Sequence, residues 1–259
     1  MQQFNLSSMR HRLGFSEGGA ISSRTAMQDE VITLFSTIPY DADASLYHME
    51  IVEHNILSKA TASNRLKTFA LLRRLYALDP EICLFREMRR LHRFALEDSP
   101  LLMGLLAMAR EPILRECLTM VLRTPVGETM GRPDFESWIR KYAPEKYTES
   151  MYRSFSHNLY ASFHQFGYLG ISAGKTRIRI SPKTGIASAT YAAFIDWLEG
   201  HSGMALLKGT YSQALVLSTD RHIELLQTAG SKGLLKVAYS GGVLDVGFPG
   251  FLRNTESRL

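Results

Sequence analysis

Two cysteines in 259 residues, Cys83 and Cys117, are too few and too far apart for a disulfide framework or a cysteine-based metal site, and a reducing compartment, the cytoplasm, is expected. Long apolar runs are missing as well. The most lipid-like stretch, Leu101 to Ala109, is followed at once by Arg110, Glu111, Arg115 and Glu116, whereas a membrane span needs about 20 apolar residues. Residues 1–13 are polar and contain no apolar stretch of signal-peptide type. No low-complexity segment and no fixed repeat is present. Catalytic signatures are equally scarce. The chain has no Gly-x-Ser-x-Gly, no His-Glu-x-x-His and no Cys-x-x-Cys, and its eight histidines lack metal-ligand spacing. Ser16 to Ala20 and Ser240-Gly241-Gly242 lack the Gly-Lys-Ser/Thr ending of a phosphate loop, and Gly18-Gly19 reads as a flexible entry turn. These absences point to a soluble protein that binds a partner, runs no chemistry and needs no cofactor or metal.

What the chain does have is helical periodicity and positive charge. Apolar residues make up 45 % and charged residues 21 %, enough to bury an ordinary core. The net charge is +5, with a pI near 9.2. Its distribution is uneven. Lys59 to Arg93 holds nine basic residues against Asp79, Glu81 and Glu87. Arg140 to Lys183 holds eight against Glu145 and Glu149, so each block has a net excess of six and the rest of the chain is acidic. Two basic blocks in an acidic protein suggest two polyanion-facing surfaces, although solvated helix faces with compensating neighbours give the same count.

Spacing predicts helices over residues 22–37, 44–54, 61–77, 81–95, 99–110, 112–123, 134–142, 148–166, 187–198 and 220–229. A strand is expected over 176–180, and a hairpin over 234–239 and 243–246, turning at Gly241-Gly242. The breaker-rich stretch Thr124 to Pro133 separates an N-terminal domain, 1–128, from a C-terminal one, 129–259. The fold class is therefore mainly α, with two helix-turn-helix-like lobes and a small C-terminal β-hairpin.

The first lobe places a short helix, a break at Asn55 to Lys59, and then a helix opening at Thr61. Ser63, Asn64, Arg65 and Lys67, with Arg74 further along and Lys59 and Thr61 at the entry, are suited to phosphates or base edges. Thr61 also fits a plain helix cap. The second lobe repeats the layout: helix 134–142, a turn carrying Lys146, then a helix from Thr148 whose polar side carries Ser150, Arg153 and His157. Lys175, Arg177 and Arg179 are expected to form a basic strand beside it, as a wing stands beside a recognition helix. Arg86, Arg89, Arg90 and Arg93 recur at helical spacing as a ridge suited to phosphates; internal pairing with Glu81 or Glu87 is the competing reading. On the core side Leu66, Phe69, Leu72, Met151, Phe155, Leu159 and Phe163 are expected to be buried, with Lys67, Arg74 and Arg153 exposed on one continuous face.

The order of segments carries a resemblance. Gly18-Gly19-Ala20-Ile21, the run Asn55 to Leu66, Phe135-Glu136-Ser137-Trp138 and the run Arg153 to Gly170 together resemble the BrxA family, the small non-enzymatic component of BREX bacteriophage-exclusion systems. The likeness spans most of the chain, though the family carries further basic residues where this chain has Ala60, Ala62 and Ser154. It implies a helical fold with two helix-turn-helix elements, binding of double-stranded DNA, and work alongside a methyltransferase and ATPases in antiviral defence. A monomer is expected. An assembly adaptor docking acidic partners and an antitermination-like RNA-binding protein are the rival readings.

Overall fold

A computed structural model describes residues 10–16, 18–95, 97–172, 177–253 and 256 of the chain. Its helices are α1 (Gln28–Thr37), α2 (Ala44–His48, continued by a π-helical turn over Met49–Glu53), α3 (Ala62–Tyr76), α4 (Cys83–His92), α5 (Ser99–Arg110) and α6 (Pro112–Arg123), followed by α7 (Arg132–Tyr142), α8 (Glu149–Gln165), α9 (Ile186–Leu198), α10 (Thr210–Ala214) and α11 (Thr219–Ser231). Two antiparallel hairpins complete it, β1 (Leu169–Ile171) with β2 (Arg177–Arg179) and β3 (Lys236–Ser240) with β4 (Val243–Gly247). The fold is mainly α with a small C-terminal β-hairpin, as the periodicity predicts. No helix of the described residues is long and apolar enough to cross a membrane.

Two helices that are apolar on every side form the interior. In α5 every residue from Leu101 to Ala109 is buried, and in α9 every residue from Ala187 to Asp196. A helix with no polar face must be surrounded, and α5 packs against α3, α4, α6 and α9. The apolar run Leu101–Ala109 is thus the centre of the protein. Gly104 on α5 touches the Phe166 ring, which a Cβ would meet at 2.8 Å, so the end of α8 can press onto the central helix. One hydrophobic cluster runs from Leu13 to Phe251 and is continuous across residues 128 and 129.

Local signals act where expected. Asp43, Thr61, Thr148 and Ser218 cap α2, α3, α8 and α11 through side-chain oxygens that accept backbone N–H bonds. The β3–β4 hairpin turns at Gly241 and Gly242, both at positive φ (56° and 78°), the geometry of the two-residue turn that follows strand twist. One difference lies at the start: the helix expected from residue 22 begins only at Gln28, and residues 18–26 form a strap that turns over residues 20–24 instead.

The expected buried stripes are partly rotated. In α3 the buried residues are Thr68, Leu71, Leu72, Leu75 and Tyr76; Leu66 is 51 % exposed and Phe69 is half-buried against His48. Helix α3 has enough apolar residues for two overlapping stripes, and Thr68, a polar residue, sits mid-face on the buried one. In α8 Phe155, Leu159, Phe163 and Phe166 are buried as expected, but Met151 in the first turn is 38 % exposed.

Asp196 and His222 are both buried and oppose each other in pH response. Burial raises the Asp196 carboxyl to about 6, although the Tyr211 and Ser212 amides donate to it. Burial lowers the His222 ring to about 4. Asp196 keeps a proton in the folded state that the unfolded chain releases near pH 4, so acidification from pH 6.5 to 4 adds stability. His222 stays neutral where the unfolded chain takes up a proton near pH 6.5, so the same acidification removes stability. Each change is worth about 3 kcal/mol. The contributions offset each other in the native protein. Asp196→Asn should therefore lose about 3 kcal/mol more than wild type between pH 6.5 and 4 in urea unfolding, and His222→Phe should gain about as much. Profiles parallel to wild type would contradict this pairing.

Candidate nucleic-acid interface

Residues 112–179 assemble a helix-turn-helix with a β-sheet behind it. Helix α6 is followed by an extended segment in which Thr129 pairs with Ile178 of β2. Gly127 and Met130 donate backbone N–H bonds to the Arg179 and Arg177 carbonyls, and the Arg179 N–H returns one to Glu128, at 2.8–3.1 Å. The order is helix, edge strand, helix α7, turn, helix α8, then the β1–β2 hairpin, with the edge strand paired to the last strand. This is the connectivity of a winged helix-turn-helix. Ala143 to Thr148 forms the turn, with Glu145 at positive φ (56°).

Helix α8 divides into three faces. Phe155, Leu159 and Phe163 enter the core. Ser154, Asn158 and Ser162 meet the strap, through bonds from Ser154 Oγ to Ser22 O (3.0 Å), from Asn158 Nδ2 to Ile21 O (2.7 Å), and from the Ala26 N–H to Ser162 Oγ (2.8 Å). Ser150, Arg153 and His157 recur at i, i+3 and i+7 on the remaining face, and all three are exposed. Arg140 ties α7 to the first turn of α8 by bonds to Glu136 (2.8 Å) and Glu149 (2.6 Å), and its guanidinium lies over Tyr152. Its hydrogen bond to Glu149, and after that its charge, hold the Glu149 carboxyl below the ordinary range. Between the two helices lies a groove of about 390 Å³ into which Arg132, Ser137, Arg140, Arg153 and Ser156 turn. Lys146 is exposed in the turn, and Arg177 stacks on Tyr160 of α8 at 4.4 Å. Lys175 lies outside the described residues. Arg179, expected on the wing, is instead 1 % exposed, with its Nε donating to the Val121 carbonyl.

In the first lobe the turn before α3 is bracketed by Asn55, whose side chain accepts from the Lys59 N–H and donates to the Lys59 carbonyl. Ser63 and Lys67 are exposed, together with Leu66, Arg73 and Arg74. The other expected contacts are engaged within the protein. Thr61 accepts from the Asn64 N–H as a cap (3.1 Å), Asn64 Oδ1 accepts from Arg24 (2.9 Å), Lys59 pairs with Glu30 (3.0 Å), and Arg65 reaches the Glu53 carbonyl. Arg74 contacts the Gly19 carbonyl at 3.4 Å while staying exposed.

The Arg86–Arg93 ridge is not a phosphate surface. Arg86 pairs with Glu87 and Glu256 (3.2 and 2.7 Å), and Arg90 pairs with Glu87 (2.7 Å) and lies over Phe251. Arg89 is 6 % exposed, donates to the Phe35 and Ile38 carbonyls and covers the Phe35 ring. Only Arg93 of the four is exposed, over Tyr40. Helix α4 needs three of its sides for packing, so the i, i+3, i+4 arginines fall on a buried face. The competing reading of this cluster, internal pairing, is the right one.

The strap over residues 18–26 joins the two lobes. Arg24 and the Gly19 carbonyl hold α3, Tyr76 of α3 donates to Ala26 O (2.7 Å), and Ser154, Asn158 and Ser162 hold it from α8. Gly18-Gly19 is therefore an anchored turn and not a flexible entry. The buried Glu111 carboxylate accepts from the Gly19, Ala20 and Ile21 amides at 3.0, 2.7 and 3.4 Å. Nothing in the sequence signals a glutamate ninety residues away as the partner of that turn. Arg132 and Ser137 of the α7–α8 groove also escaped sequence reasoning, because the second basic block opens only at Arg140.

Among the described residues no group of three His, Cys, Asp or Glu side chains is placed to hold a metal ion. Compared with known proteins, the chain matches no family model and no curated protein.

Arg89→Met should lower stability by about 2–4 kcal/mol, because two buried carbonyls lose a charged donor. Affinity for duplex DNA per folded molecule should stay unchanged. Denaturant unfolding read beside a duplex titration checks both halves, and a weaker titration with unchanged unfolding would return Arg89 to the binding surface.

Proposed function

We propose that the protein is a non-catalytic binder of double-stranded DNA that lays α8 in the major groove and uses the open side of α3 as a second contact. The observation carrying this reading is the winged connectivity within residues 112–179, together with Ser150, Arg153 and His157 on an exposed face of α8. A recognition helix reads base edges with its first turns while flanking cations hold the phosphates. Ser150 and Arg153 occupy those turns, and Arg132, Lys146 and Arg177 flank them. On α3, Ser63, Lys67 and Arg74 remain available. The exposed Leu66 beside them suits apolar contact with a thymine methyl group.

The same proposal extends to biological role. The resemblance of the chain to the BrxA family supports a role in a phage-exclusion system, with a methyltransferase and ATPases as the proposed working partners. Two free, buried thiols, Cys83 and Cys117, are in keeping with a cytoplasmic setting. A monomer suffices, since both helix-turn-helix lobes lie on one chain.

A salt titration with a duplex of about 25 base pairs, a little over two helical turns, tests the reading. Affinity should fall steeply as salt rises. Arg153→Ala should weaken binding about 5–10-fold, with the log–log salt slope smaller by roughly one phosphate contact. The Ser63→Ala/Lys67→Ala double variant should weaken it separately. Salt-independent binding, a preference for RNA over duplex DNA, or an Arg153→Ala variant that binds like wild type would overturn the proposal.

A further inference from the structure

A second cationic groove lies away from the α7–α8 groove, where the end of α4 meets the start of α9 and the length of α11. It measures about 720 Å³ and is open to solvent. Its rim carries Arg93, Lys183, Arg221 and Lys232, and all four side chains are exposed. Its floor is apolar: Phe94, which is 39 % exposed, with Ile186 and Leu225. Arg221, Leu225 and Lys232 recur at i, i+4 and i+11 along α11, so one helix supplies both the floor and two cations.

The acids at this groove offset much of its charge, but the two ion pairs they form are open to solvent. Asp98 is buried and spent on the Ser188 N–H and hydroxyl, both at 2.8 Å. Glu97 pairs with Lys183 while the two side chains remain 74 % and 70 % exposed, and Glu224 pairs with Arg221 at 62 % and 50 % exposure. Ion pairs that wet are worth little and exchange readily for carboxylates of a partner. Duplex DNA does not suit the site. Phosphates need dispersed cations on an open surface and gain nothing from a floor of Phe94, Ile186 and Leu225. A concave apolar floor ringed by cations matches a peptide that sets one or two apolar side chains inside and carboxylates around them.

We propose that this groove is a docking site for an acidic segment of a partner protein, with an apolar anchor seated on Phe94, Ile186 and Leu225 and flanking Asp or Glu side chains on Arg93, Lys183, Arg221 and Lys232. The inference stands apart from the DNA reading, because the two grooves share no residue.

The probe is a fluorescein-labelled, acetylated and amidated hexapeptide, Asp-Glu-Phe-Leu-Glu-Asp, followed by anisotropy with the full chain near physiological salt, where charges beyond about 8 Å are screened. Saturable binding is expected. Arg221→Gln with Lys232→Gln should weaken it at least 10-fold and Phe94→Ala about 5-fold, while duplex affinity measured on the same samples changes less than 2-fold. Replacing the Phe-Leu anchor by Ser-Ser, or the four acids by their amides, should each abolish saturation. Peptide binding that ignores these substitutions would overturn the proposal. So would an anchorless peptide that binds equally well, or a loss falling on the duplex instead of the peptide, which would make the groove part of a nucleic-acid surface. Because all three substituted side chains are exposed, circular dichroism should be unchanged; an unfolded variant would be replaced by Lys183→Gln, for which the same loss is required.

Discussion

The buried carboxylate of Glu111 fixes the geometry on which both candidate DNA-binding helices depend. It stands at the break between α5 and α6, where Pro112 prevents one helix from running into the next. Burial pushes its carboxyl pKa up, and the three strap amides it accepts from pull the other way. Gly18 and Gly19, at φ of 79° and 103°, present those amides as a concave nest, and a Cβ at residue 18 would fall 2.3 Å from a Glu111 oxygen. An interior carboxylate of this kind is tolerated only where several donors converge on it. The strap is thereby riveted to the central helix, and α3 and α8 are hung from its two sides. The spacing of the two helices is consequently a property of the core, set before any ligand arrives.

Positive charge does comparable internal service. Three buried or half-buried arginines each close the C-terminal end of a helix: Arg89 on the Phe35 and Ile38 carbonyls beyond α1, Arg110 on the Arg73 and Arg74 carbonyls of α3 and on Gly14, and Arg179 on Val121 of α6. The last carbonyls of a helix have no intrahelical partner and carry the negative end of its dipole. A guanidinium offers five donors in a plane and can bridge such carbonyls without giving up its charge. Burial lowers the Arg110 pKa to about 10, still well above neutrality, so the group remains cationic where it caps α3. Arg89 and Arg179 inflate the basic counts of the first and second block without adding to an outward-facing surface.

That accounts for what was legible in the sequence and what was not. The helices, the C-terminal hairpin and most of the α8 core stripe follow from spacing and turn chemistry, which are local. The interior role of Leu101–Ala109 was half visible, as an apolar run too short for a membrane. Arg86, Arg89 and Arg90 misled because helical periodicity places residues on a shared face without saying which way that face points. Beside the neighbouring Glu87, it is distant groups, Glu256 some 170 positions on, the Phe251 ring and the carbonyls at the end of α1, that turn these arginines inward. Leu66 and Met151 went astray for the related reason that an apolar residue one step off the true stripe fits the pattern as well as its neighbour. The strap was invisible altogether, since most of what it contributes is its own backbone amides and carbonyls, which leave no mark on residue type.

Once the engaged side chains are removed, the outward charge of each lobe is small. The α8 face carries Arg153 with Ser150 and His157, helped by Arg132, Lys146 and Arg177; the α3 face carries Lys67, Arg73 and Arg74. Three or four cations to a lobe neutralise few phosphates, and each lobe alone would hold DNA weakly at physiological salt. Two weak contacts on a rigid spacer behave differently. On the proposed reading, once one lobe is seated the other would meet its stretch of duplex at an effective concentration set by geometry, and a fixed spacing would raise that concentration only where it matches the duplex. The strap supplies that spacer, because Glu111 holds it to the core, Arg24 and Tyr76 join it to α3, and Asn158 joins it to α8. Under the proposed reading, selectivity would come from spacing along the duplex more than from the chemistry of either helix, which accords with faces carrying serine, histidine and a few cations in place of a dense basic surface.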